Sequence, residues 1–272
     1  MALNEDKQKR IAEIIKDIII SRPNIESIPR LSYEDQNAPF HAAVLALLEK
    51  QLKPINVPVP YLVAISNWIY DLDTTLENCY ESLAHILSGG YKRKFTGAFT
   101  LKVKESQANN IEKIIRELKS GSENPNLKRE ESLIFDFLKE EKEVDALGFT
   151  VDNYFETNDL IEGIELKSVR PNSGEARGEK QKILYAKSAF KLLNPGKEIK
   201  YYIGFPFDPT SKTPTGCDKE RFFNYLVEFK KFFAFDEVLL AAELWDHLSG
   251  QQNTMEEIFE IIRKTVKDSK NS

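Results

Sequence analysis

Apolar positions recur every three or four residues over 5–21, and the spacing predicts an amphipathic helix closed by Arg22-Pro23. A loop rich in Pro, Asn and Ser runs to about Pro39. Residues 40–53 (FHAAVLALLEKQLK) again read as helix, ended by the proline-spaced PINVPVP. Residues 61–88 are helical by pattern, with an interruption near Asp71–Thr74; the second part, TLENCYESLAHIL, sets Leu76, Tyr80, Leu83 and Leu87 on one face. The period then shortens. Residues 95–103 (FTGAFTLKV) suit a strand, 107–119 a helix, and SGSENPN at 120–126 a linker.

A charged helix is expected over 127–142. Two strand-like runs follow, TVDNYFE (150–156) and LIEGIELKSV (160–169), and the turn-forming Thr157-Asn158-Asp159 joins them into a hairpin. Beyond it the pattern gives a helix at 175–193, a strand at 199–207, a helix at 218–234, a strand at 237–243 and a closing helix at 254–267. No internal repeat is visible. This order implies an α/β fold: a mixed central sheet flanked by helices, with a mostly helical N-terminal part (1–119) and an α/β core (127–272). Neither side of the 120–126 linker holds a complete sheet, so residues 1–272 are expected to form a single domain.

Composition narrows the class. The 272 residues are 41% hydrophobic and 11% aromatic, too apolar for a disordered chain. The longest apolar runs are too short or too charged to span a bilayer, and the N-terminus lacks the organisation of a signal peptide. Cys79 and Cys217 lie far apart and outside any metal-ligand spacing, so a reduced, cytoplasmic protein with no membrane partner is expected. A net charge of −5 argues against nucleic acid as a partner. Its distribution argues otherwise: from Lys167 to Lys200 nine basic residues face three acidic ones.

That basic stretch begins at an unusual strand. In LIEGIELKSV the polar face carries Glu165 and Lys167, two apart and therefore on the same side of the strand. Other acid-x-Lys triplets occur at Glu117–Lys119, Glu140–Lys142, Glu198–Lys200 and Glu228–Lys230. Only Glu165–Lys167 lies mid-strand with a further acid, Asp152, on the adjoining strand of its hairpin. Two carboxylates brought together repel each other when ionised, and a divalent cation bridging them removes that cost. Hard oxygen ligands suit Mg2+, which supports phosphodiester hydrolysis with a lysine beside it. A surface hairpin bearing a weak exposed ion pair would read the same way. His41, His85 and His247 stand singly, and no glycine-rich phosphate loop is present.

The arrangement Asp152…Glu165-Leu-Lys167 resembles the active-site motif of the PD-(D/E)xK nuclease superfamily, with Val151 where proline often stands. Three stretches, DTTLENCYESLAHIL (73–87), IELKSVRPNSGEARGEKQKIL (164–184) and ELWDHLSGQQNTMEEI (243–258), resemble the TdeIII/MjaII-type group of type II restriction endonucleases. The resemblance implies an endonuclease for double-stranded DNA with Mg2+ as cofactor, acting as a homodimer at a short palindrome. GGNCC is the site associated with that group, and a DNA methyltransferase would be the functional companion. Asp152 and Glu165 would hold the metal, Lys167 would complete the catalytic set, and Glu81 (with Glu77 as the alternative) would support it from an early helix.

DNA contacts are expected beyond the catalytic strand, from Arg170, Asn172, Arg177, Lys180, Lys182 and Lys187. The first four are candidates for base reading. Two other functions remain open on these residues: a repair or recombination nuclease that recognises DNA structure, and a non-catalytic DNA-binding protein on the same fold.

Overall fold

The computed structural model describes residues 3–20, 38–48, 52, 54, 56–167 and 173–269. The expected helix closure at Arg22-Pro23 lies outside them. The N-terminal part contains helices α1 (Glu5–Ile15), α2 (Ala38–Leu47) and α3 (Val59–Ser88). Helix α3 runs through the expected interruption at Asp71–Thr74 without a break. Thr74 Oγ1 and Thr75 Oγ1 donate to the carbonyls of Tyr70 and Asp71, 3.1 and 2.6 Å away. These i−4 bonds satisfy the hydroxyls inside the helix, and neither Gly nor Pro is present to end it.

Strands β1 (Tyr91–Phe95) and β2 (Lys102–Lys104) replace the single strand expected at 95–103. Gly97, at φ +61°, opens a 3-10 turn between them. Helices α4 (Glu105–Ser120) and α5 (Leu127–Phe135) flank the 120–126 linker and stay joined across it by Gln107 Nε2 donating to the Ile134 carbonyl (2.6 Å). The expected helix at 127–142 therefore stops early, and Glu143–Asp145 forms β3, the partner of β2 in a small two-stranded sheet.

The main sheet adds β4 (Phe149–Glu156), β5 (Leu160–Leu166), β6 (Glu198–Phe205) and β7 (Val238–Leu240) to β1, in the order β1-β4-β5-β6-β7. The β1/β4 and β4/β5 pairs are antiparallel, whereas β5/β6 and β6/β7 are parallel. Helix α6 (Ser173–Leu193) makes the crossover from β5 to β6. The helix expected at 218–234 is a short α7 (Lys219–Tyr225) followed by a 3-10 turn. The strand expected at 237–243 ends at Leu240, because Ala241 turns to φ +50° and starts α8 (Ala242–Ser249). Helix α9 (Thr254–Ser269) closes the described chain.

The mixed sheet is thus sandwiched as the sequence order implied. Helix α6, backed by α4 and α5, covers one face; α3 and α8, backed by α1 and α9, cover the other. On the α6 face Phe190 packs edge-on against Phe95, Phe149 and Tyr154. On the α8 face Leu244 lies over Gly204 and Ile164. Among the described residues no helix is long and apolar enough to cross a membrane.

Candidate active site

Residues Asn153 and Ile164 pair across the hairpin, so one step further along the same register Asp152 comes opposite Glu165, whose side chain lies with Lys182 and Glu179 of α6. Strand β4 is bulged at this point. Tyr91 pairs with Tyr154 and Arg93 with Val151, which leaves Lys92 facing both Asp152 and Asn153. The backbone around Asp152 is fixed from both sides. Its carbonyl accepts a hydrogen bond from His85 Nε2 (2.7 Å), and its Oδ2 accepts one from the Leu166 amide (3.1 Å). Lys92 Nζ reaches Glu81 Oε2 at 2.9 Å and Asp152 Oδ1 at 3.6 Å. Glu81 on α3 is therefore linked to Asp152 through a shared lysine, whereas Glu77 is exposed.

Glu165 is 5% exposed. Its Oε1 meets Lys182 Nζ at 2.7 Å and Lys167 Nζ at 3.3 Å, and both lysines also meet Glu179, at 2.6 and 2.8 Å. Two carboxylates and two ammonium groups thus alternate in a closed ring between β5 and α6. Burial pushes the Glu165 carboxyl up to about 7, with Lys182 opposing the shift and Asp152 adding to it. Burial pulls Lys167 down, but Glu165 and Glu179 outweigh it and leave its pKa above the ordinary lysine value. For Glu179 burial acts upward, and Lys182 and Lys167 together bring the carboxyl below its usual range.

The second oxygen of Glu165, Oε2, is buried without a hydrogen-bond partner among the described residues. A buried carboxylate oxygen that no protein donor satisfies, opposite another acid, is the donor chemistry a hard cation takes. Among the described residues no group of three or more His, Cys, Asp and Glu could hold a metal ion. Mg2+ does not require one, since it is commonly held by one or two carboxylates together with waters and substrate phosphate.

The basic candidates separate. Arg177 is exposed on α6. Lys182 points into the acidic ring instead of outward. Lys180 is fully buried between Glu130 and Glu237, and Lys187 is 2% exposed and paired with Glu131, so neither is placed to touch DNA. This corrects the expectation for both. Ala176, Lys180, Ile183, Leu184, Lys187 and Phe190 follow helical spacing along the inward face of α6, and that periodicity was available in the sequence. Arg170 and Asn172 lie outside the described residues.

The competing triplet Glu198–Lys200 is an exposed pair at the start of β6, opposite Leu160, at the far end of the sheet from Glu165. Sequence reasoning missed Lys92 and Glu179. The bulge that aims Lys92 leaves no mark in composition. Glu179, however, stands three residues before Lys182, a helical pairing distance.

Comparison with known proteins supplies the lineage. The family model described as "Type II restriction endonuclease, HinfI" matches residues 3–266. The type II restriction enzyme MjaII of Methanocaldococcus jannaschii is 41% identical over 273 residues, covering 98% of this chain and 72% of that enzyme. No solved structure matches the chain.

Proposed function

The chain belongs to the HinfI family of type II restriction endonucleases, and we propose that it cuts DNA at a PD-(D/E)xK-type centre made of Asp152, Glu165 and Lys167, with Mg2+ as cofactor. As a site-specific deoxyribonuclease it binds double-stranded DNA. The observation that carries the reading is Glu165, buried opposite Asp152 with Oε2 unpartnered.

Asp152 and Glu165 would hold the cation. When bound, it stabilises the charge developing on the phosphate and makes water easier to deprotonate. Lys167, fixed between Glu165 and Glu179, presents positive charge to that phosphate and orients the attacking water. Lys182 opposes the rise that burial imposes on the Glu165 carboxyl and, with Lys167, favours the ionised form of Glu179. Glu81 supports the centre through Lys92, which it holds beside Asp152.

Residues 1–272 act in this reading as one nuclease domain, α3 bringing Glu81 to the hairpin. Each chain supplies one such centre among the described residues, so cutting both strands of a palindrome calls for two copies about a two-fold axis. A homodimer is the assembly proposed. GGNCC is the first sequence to test, on the resemblance to the TdeIII/MjaII-type group, and a DNA methyltransferase protecting the same site is the implied companion.

The test is incubation of plasmid DNA with the purified protein and Mg2+, followed by sequencing of the ends. Cleavage should stop with chelator, resume with Mg2+, and yield ends at one short palindrome. Asp152→Asn and Glu165→Gln should abolish it while DNA binding in Ca2+ survives, and Glu198→Ala and Lys200→Ala should cut normally. Ends scattered over sequence or gathered at branched DNA would exclude the palindromic reading. Full activity of Glu165→Gln would move the chemistry to another site.

A further inference from the structure

The site contains a second buried group without a partner. Tyr201 on β6 is 3% exposed, and its hydroxyl, like Glu165 Oε2, makes no hydrogen bond among the described residues. Its place is set by the sheet. Tyr201 pairs with Gly163, two residues before Glu165 on the same face of β5. A Cβ at position 163 would stand 2.6 and 2.7 Å from Tyr201 Cε2 and Cδ2 and 3.1 Å from Cζ. Only glycine admits a ring lying across the strand at that point. The ring therefore carries its hydroxyl over β5, into the field of Glu165, Asp152 and Glu179. Burial first, and then those three acids, raise the tyrosine pKa far above its ordinary value, so the hydroxyl keeps its proton and remains a donor.

The Tyr201 hydroxyl, an unpaired donor, and Glu165 Oε2, an unpaired acceptor, thus belong to neighbouring strands beside the proposed metal carboxylates. Phenylalanine would fill the same space without the penalty of an unsatisfied hydroxyl. We infer that Tyr201 is a positioning residue of the active site, its hydroxyl fixing the Glu165 carboxylate for a divalent cation by a hydrogen bond to Oε2 through one bridging water. The inference rests on the proposed metal-holding role of Glu165. It concerns neither the acid-acid-lysine trio nor its surrounding lysines.

The experiment compares wild type, Tyr201→Phe and Glu165→Gln as full-length proteins. Ca2+ binding is measured by calorimetry, and kcat and KM for Mg2+-dependent plasmid cleavage are measured separately. Tyr201→Phe keeps the ring over Gly163, so it should fold and melt at least as high as wild type. Its Ca2+ affinity should fall roughly tenfold, the effect expected of a residue that orients a ligand. Its kcat should fall with little change in KM, since no DNA contact is removed. Glu165→Gln should lose Ca2+ binding altogether. Unchanged Ca2+ affinity and kcat in a folded Tyr201→Phe, with Glu165→Gln defective, would overturn this inference alone. Unchanged Ca2+ affinity in Glu165→Gln would overturn the metal-site reading and the inference together.

Discussion

The ammonium nearest the Glu165 carboxylate belongs to Lys182, whose Nζ stands 2.7 Å from Oε1; the motif lysine, Lys167, is 3.3 Å away. A helix-borne cation thus sits closer to the acid than its strand neighbour does. Lys182 is also 2.6 Å from Glu179 and only 17% exposed at its side chain. That geometry changes what its removal should do. Lys182→Met should lower the cleavage rate at saturating DNA by roughly tenfold or more, because it unbalances the carboxylates that hold Lys167. DNA affinity in Ca2+ should change little. A mutant that binds all duplexes more weakly yet cuts at the normal maximal rate would show that Lys182 turns outward to a phosphate.

The elevated Glu165 carboxyl makes a prediction about stability. A carboxyl raised from 4.5 to about 7 in the folded protein binds its proton more tightly folded than unfolded. Its favourable contribution is complete below the unfolded value and is lost as pH rises through the folded one. Above pH 7 the metal-free protein therefore carries an ionised group that destabilises it by on the order of 3 kcal/mol. Glu165→Gln should raise the melting temperature of metal-free protein clearly at pH 8 and hardly at pH 4.5. Adding Ca2+ at pH 8 should raise the melting temperature of wild type and not that of the variant. Equal gains at both pH values would mean that the carboxyl is not strained by ionisation.

Lys180 tests the core. It lies fully buried between Glu130 and Glu237, and burial, reinforced by Glu237 and opposed by Lys180, pushes the Glu130 carboxyl upward. Lys180→Met should cost about 3–5 kcal/mol in urea denaturation, since it strands two acids without their cation. Adding Glu130→Gln and Glu237→Gln should restore most of that loss. A Lys180→Met protein as stable as wild type would mean that the acids reach solvent.

Much of this was legible in the chain. The β4–β5 hairpin announces itself by alternation, and the two-residue period alone puts Glu165 and Lys167 side by side, as their 3.3 Å ion pair requires. Residues far apart in sequence are another matter. Tyr201 meets Gly163 only through the parallel β5/β6 register, and Lys92 meets Asp152 only because β4 is bulged. Charge counting failed at Lys180 and Lys187 because it ignores which face of α6 a lysine occupies. The expected strand at 237–243 overruns into the first two residues of α8 because VLLAA is apolar in either state, and the turn at Ala241 has no glycine to mark it.

With Lys180 and Lys187 inside the fold and Lys182 in the acidic ring, Arg177 becomes the exposed basic candidate on α6 for contact with DNA. If its guanidinium neutralises a phosphate, binding releases counterions there. Arg177→Ala should then weaken binding of all duplexes alike and reduce the slope of log affinity against log salt by about 0.9. Lys191→Ala is the matched control. Its Nζ already donates to the carbonyls of Pro195 and Lys197, at 2.8 and 3.1 Å, closing the end of α6. It should leave the salt slope unchanged. The measurement is affinity for a GGNCC duplex and a scrambled duplex in Ca2+ at several salt concentrations. A loss of roughly 1–3 kcal/mol confined to the cognate duplex would instead make Arg177 a reader of guanine. No loss on either duplex would remove this face of α6 from the DNA interface.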